Sequence, residues 1–220
     1  MRWRLALSAA LPLLAVACAE MRQAPPPPPP TDLLAGSQQP GALVNPVRGA
    51  VLASAAAFAD AGLSLADKPE ATAQAAAQLE YLVIALPVSR GYAGINETTR
   101  INLGLARDEV RSALGIAAEA PGDAVMRALL AAARAQRAGQ GATAAAALPA
   151  GMFRPGGVGS IRRLAEPGPL PMAAMATSQA QQEVARLETS LQWAQEQAQD
   201  GGLLETGPPG GIGPGLGGRF

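Results

Sequence analysis

Leu79, Leu82, Val83 and Leu86 recur at i, i+3, i+4 and i+7, the spacing that places apolar side chains on one face of an α-helix. Related spacings govern the chain from Pro46 to about Ala138. Val47, Val51, Ala55 and Phe58 follow one another at intervals of four, four and three. A second helix is expected from Asp67 as N-cap, with Pro69 in the first turn, where the missing N–H costs nothing. Pro87 stops it. The run YLVIALPV also suits a buried strand, but its alanine-rich lead-in, Thr72 to Gln78, favours helix. After a glycine-containing loop at 88–97, a third helical region covers Thr99 to Gly115, with a possible break at Gly104. A fourth starts at Asp123 as N-cap and runs through Val125, Leu129 and Ala132. Aromatic residues make up only 3% of the chain, so stacked rings cannot fill the interior. Close alanine faces sealed by Leu, Val and Ile must do so. The expected fold class is all-α: a small bundle of about four helices at 46–138, plus a separate C-terminal amphipathic helix.

That last helix is expected at 177–200. Ala180, Val184, Leu187, Leu191, Ala194 and Ala198 are spaced four, three, four, three and four, an a/d seam with glutamine and glutamate on the other faces. It spans fewer than three heptads, so docking on the bundle and self-association are both open. Between the two helical regions, 139–176 is rich in glycine, proline and alanine and reads as a linker. Residues 201–220 read as a disordered tail.

The N-terminal end carries a different message. Arg2 and Arg4 precede an apolar run from Leu5 to Ala17, closed by small residues and then Cys18. This is the order of a secretory signal peptide over 1–17. The run of about 13 residues is short of the roughly 20 that a spanning helix needs. Cys18 has no second cysteine to pair with, and the chain has no histidine to serve as metal ligand or catalytic base. Leu14, Ala15, Val16, Ala17 and Cys18 resemble the lipobox of bacterial lipoproteins, although leucine sits one place earlier than usual. The resemblance implies cleavage before Cys18, lipidation of Cys18 and insertion of its acyl chains in a membrane, where two or more chains give lasting residence. Ala19 in place of aspartate implies, by the same resemblance, the outer membrane with the domain facing the periplasm. A soluble periplasmic or secreted protein is the alternative. Residues 18–45 then form the lipid anchor and tether, in which Pro25 to Pro30 make a polyproline rod of roughly 19 Å.

Candidate chemistry is sparse. Removing Arg2 and Arg4 leaves two more acidic than basic side chains, so no strong field gathers nucleic acid. Lys68, the only lysine, lies in no SxxK motif. Asp108 and Glu109 are neighbours on a helix and point about 100° apart, which unsuits them as a facing acid–base pair. Glu97 lies near Arg90 and Arg100, where a surface ion pair is expected. GGVGS at 156–160 lacks the lysine of a phosphate loop and reads as a turn, and Arg162-Arg163 are a pair, not a patch. No catalytic residue, metal site or cofactor is expected. The stretch GLARDEVRSALG resembles the helical motif of small lipoproteins that assist outer-membrane barrel assembly. In that family β-strands follow, whereas helical sequence follows here. The expected function is a non-catalytic structural or interaction protein of the cell envelope, with an envelope protein or a second copy as partner. The alternative is an accessory factor in outer-membrane assembly or transport.

Overall fold

Asn45 opens the fold by accepting a hydrogen bond from the Arg48 N–H at 3.1 Å, with Pro46 in the first position of helix α1, Pro46–Phe58. The computed structural model describes residues 45–203, with side chains through Leu191. Among these residues there are seven α-helices and no strand: α2 Pro69–Ala85, α3 Glu97–Leu114, α4 Gly122–Arg137, α5 Gly141–Ala146, α6 Gly157–Ala165 and α7 Pro171–Leu203. The fold is all-α. Cys18, the expected signal peptide, the tether up to residue 44 and the expected tail from residue 204 lie outside the described residues. Asn45, expected in the tether, caps α1, and residues 201–203, expected in the tail, are the end of α7.

The second helix forms the centre. Its residues from Ala75 to Leu82 are buried without interruption, because α1, α3, α4 and α6 pack around it. In YLVIALPV, by contrast, Tyr81, Leu82, Ala85 and Leu86 are buried while Ile84 and Val88 are exposed, so its continuous apolar run is a helix end with one face left uncovered. The stretch stays helical to Ala85 and then tightens into a short 3-10 turn, Leu86–Val88. Small side chains allow this crowding. Ala73, Ala76 and Ala77 of α2 are buried, as are Ala132, Ala133 and Ala135 of α4, while Leu79, Leu82, Leu129 and Val125 fill the remaining space.

Asp67 is not the N-cap of α2. It sits at φ 61° and its N–H donates to the Ala165 carbonyl at 2.8 Å, while Lys68 takes the cap position without a side-chain bond. Aspartate tolerates the left-handed region, and the tertiary hydrogen bond fixes it there. Likewise Asp123 lies in the first turn of α4, with Pro121 as N-cap.

Helix α3 passes through Gly104 unbroken. A Cβ built at Gly104 meets no atom within 4 Å. Gly104→Ala is therefore expected to stabilise the protein by about 0.5–1 kcal/mol, by removing a glycine's backbone entropy from a helix interior. A urea midpoint that fails to rise would contradict a regular helix at this position.

The expected linker at 139–176 is folded. Helices α5 and α6 occupy much of it, and α7 begins at Pro171. Leu148, Phe153, Leu164 and Leu170 anchor the segment in the core. Phe153 pairs with Ile116 in an isolated antiparallel bridge, in which the Ala117 N–H donates to Met152 at 2.9 Å and the Arg154 N–H to Gly115 at 2.7 Å. These anchors lie five to eleven residues apart with glycines and prolines between them, so no helical period announces them. Two glycines are required. Gly115 at φ 69° would place a Cβ 2.3 Å from the Arg154 carbonyl, and Gly156 at φ 88° would place one 2.7 Å from Ala150 Cα.

The C-terminal helix is not separate either. Ala173, Ala176, Ala180 and Val184 are buried where α7 docks against α1 and α3. It runs antiparallel to both. Leu170 N–H donates to Ala61 at 2.8 Å at one end of α1, and Arg48 pairs with Glu188 at 2.9 Å at the other. Along α3, Glu109 meets Ala173, Asn102 meets Gln179, and the Gly94 carbonyl meets Arg186.

Candidate functional site

The charged groups inside this bundle serve its own elements. Glu80 and Arg111 are 3% and 5% exposed and form a two-pronged ion pair, with Arg111 Nη2 2.8 Å from Glu80 Oε2. The remaining Arg111 nitrogen donates to the carbonyls of Ala118 and Ala120 at 2.9 and 3.0 Å, fastening the α3–α4 connection. Hydrogen bonding to Glu80 raises the Arg111 pKa further above its usual value. A single acid within the buried stripe of α2 is a signal the sequence carries. Its partner, 31 residues on, has none.

Asp108 and Glu109 diverge as expected for adjacent helical residues. Asp108 pairs with Arg107 at 2.9 Å in solvent. Glu109 instead accepts from the N–H groups of Met172 and Ala173 at 3.2 and 2.9 Å, capping the N-terminus of α7 from a neighbouring helix. Those donors have no partner within α7, and a carboxylate there also faces the positive end of the helix dipole. Glu109→Ala is expected to cost about 1 kcal/mol, as loss of a cap. Earlier hydrogen exchange in α7 than in α2 would locate the effect, and uniform exchange would argue against a local cap.

Other candidates have local partners. Glu97 lies 3.5 Å from Arg100 in an exposed pair. Lys68 Nζ donates to the Ser64 carbonyl at 2.9 Å. GGVGS is not a turn: Gly156 is the N-cap of α6, Gly157–Ser160 form its first turn, and the Ser160 hydroxyl accepts from the Gly156 N–H at 3.0 Å. Among the described residues, no group of three or more Cys, Asp or Glu is placed to hold a metal ion. No helix among them is long and apolar enough to cross a membrane.

Two surfaces remain. One is the end of the bundle where the described chain begins. There Asn45 Nδ2 donates to the Tyr92 hydroxyl at 2.7 Å, and Arg48 Nε donates to both Glu188 oxygens at 2.9 and 3.2 Å. Burial, followed by the nearby Glu188 charge, raises the Tyr92 pKa. Past Glu188, α7 continues to Leu203, roughly 22 Å of further helix. Leu191 continues the seam of Val184 and Leu187, yet is 53% exposed. The other surface is an open cleft of 510 Å³ at the opposite end, lined by Arg154, Pro155, Gly159, Arg162, Arg163 and Glu166. The arginine pair of the sequence thus acquires a third member from a loop eight residues away. No family model matches the chain, and neither a curated protein nor a solved structure does.

Proposed function

We propose that the chain is a non-catalytic interaction protein of the cell envelope, tethered through lipid at Cys18 to the periplasmic face of the outer membrane. The observation that carries this reading is the division of α7. Its first half is a bundle element with a buried alanine–valine face, and past the Arg48–Glu188 pair it runs on as helix to Leu203, with Leu191 of the same seam half-exposed. A half-exposed Leu191 on that seam suits a partner that supplies the missing side of the pair. The charged groups at the domain's interior serve packing and capping, which fits a scaffold.

The test is a photo-crosslinking residue at position 191 in cells. One dominant adduct, either with a second copy or with a single envelope protein, is the expected result. Diffuse capture equal to that from an exposed α4 position such as Arg127 would count against the proposal. The intact mass of the N-terminal peptide from wild type and from Cys18→Ser tests the tether separately.

A further inference from the structure

We propose that Arg154, Arg162 and Arg163 form a binding cleft for a phosphate-bearing anion. Most described arginines are engaged: Arg48, Arg100, Arg107, Arg111, Arg127, Arg137 and Arg186 each lie within 4 Å of a carboxylate. For Arg154, Arg162 and Arg163 no carboxylate among the described residues lies within that reach, although Glu166 lines the same cleft. All three are exposed, and they share one cleft of 510 Å³. Converging unpaired guanidinium groups repel one another, and a bound anion relieves that repulsion.

The backbone holds them in place. Arg154 follows the Phe153 anchor and is tied by its N–H to Gly115. Arg162 and Arg163 occupy the last turn of α6, whose Leu164 and Ser160 are buried. The Arg163 guanidinium packs directly over Gly115, where an added Cβ would come within 2.9 Å of Nη1. Cations are also favoured beside the carbonyl end of a helix, which Gly115 closes for α3. Planar guanidinium forks match the oxygens of phosphate, and three of them suit a dianion better than a single carboxylate. Glu166 at the rim disfavours ligands with a second negative group on that side.

The phosphate could belong to a soluble phosphate monoester or to a lipid headgroup, and the experiment separates these. Purified full chain is titrated with inorganic phosphate against chloride at equal ionic strength, with thermal shift and 31P line width as readouts. It is also sedimented, as the Cys18→Ser variant so that no acyl chain carries it to every vesicle, with vesicles of phosphatidylcholine with and without phosphatidic acid. A saturable phosphate response is expected, weakened roughly tenfold or more in Arg162→Gln and in Arg163→Gln. Arg127→Gln, which removes an exposed paired arginine, should leave it unchanged. Arg162→Lys, keeping charge but losing the fork, should fall between. All these side chains are exposed, so circular dichroism should show intact helices in every variant. A response to free phosphate assigns the soluble source; sedimentation with phosphatidic acid alone assigns the headgroup. No response in either arm overturns the proposal, as does a response that Arg162→Gln and Arg127→Gln reduce equally.

Discussion

Arg111→Ala is expected to destabilise the fold by about 3–5 kcal/mol, the usual consequence of stranding one charge of a buried pair. Glu80, 3% exposed beside Arg111, would be left in the interior of α2 without its counter-ion, and the carbonyls of Ala118 and Ala120 would lose their donor. Urea unfolding checks this: the midpoint should fall sharply with little change in slope. Replacing both partners by apolar residues, as Glu80→Leu with Arg111→Met, should restore much of the loss, since no unpaired charge is then buried. It should still fall short of wild type, because the carbonyls of Ala118 and Ala120 lose the donor that fastens the α3–α4 connection. A loss below about 1 kcal/mol for Arg111→Ala alone would mean the pair is solvated, and the account of α2 as buried without interruption from Ala75 to Leu82 would fail.

Phe153→Ala should be comparably severe, about 3–5 kcal/mol. Phe153 is fully buried and stands at the bridge to Ile116, between α5 and α6. If 139–176 were a loose linker, truncating its one aromatic residue would leave the unfolding midpoint where it was. Limited proteolysis adds a second reading of the same variant. Cleavage confined to 139–170 would show that this segment can detach from a bundle that otherwise stands, whereas loss of all protected fragments would make it an integral part of one cooperative unit.

The four helices between residues 46 and 138 were legible because their apolar faces repeat at helical spacing. Pro69 falls in the first turn of α2 as expected and Asp123 in that of α4, whereas the caps Asn45 and Asn96 were not read from the sequence. The departures there were small: the caps of α2 and α4 shift by a residue or two, α3 starts at Glu97 rather than Thr99, and it runs through Gly104 unbroken. The region after Ala138 was not legible as structure. Its core contacts come from solitary residues, Leu148, Phe153, Leu164 and Leu170, carried by turns that glycine makes possible. Composition records the glycines and misses the anchors. Helix α7 shows the reverse problem: Ala180, Val184 and Leu187 of its seam do face the bundle, but a seam does not reveal whether a bundle or a partner covers it. In fact the bundle covers the first part. Glu109 as a cap, and Arg154 beside Arg162 and Arg163, depend on tertiary approach that no local spacing encodes.

The antiparallel course of α7 along α1 and α3 gives the domain two unlike ends. The start of α1 and the outgoing half of α7 share one of them, while the three arginines occupy the other, a helix length of about 27 Å away. Occupancy of one end, as proposed, would leave the other unobstructed. In a chain fastened by its N-terminus as proposed, the first attachment would confine the search volume of the second, so that weak contacts at both ends would add up to lasting residence. Were both proposed contacts made, the domain would act as a spacer with a grip at each end, and its length would set the gap it bridges.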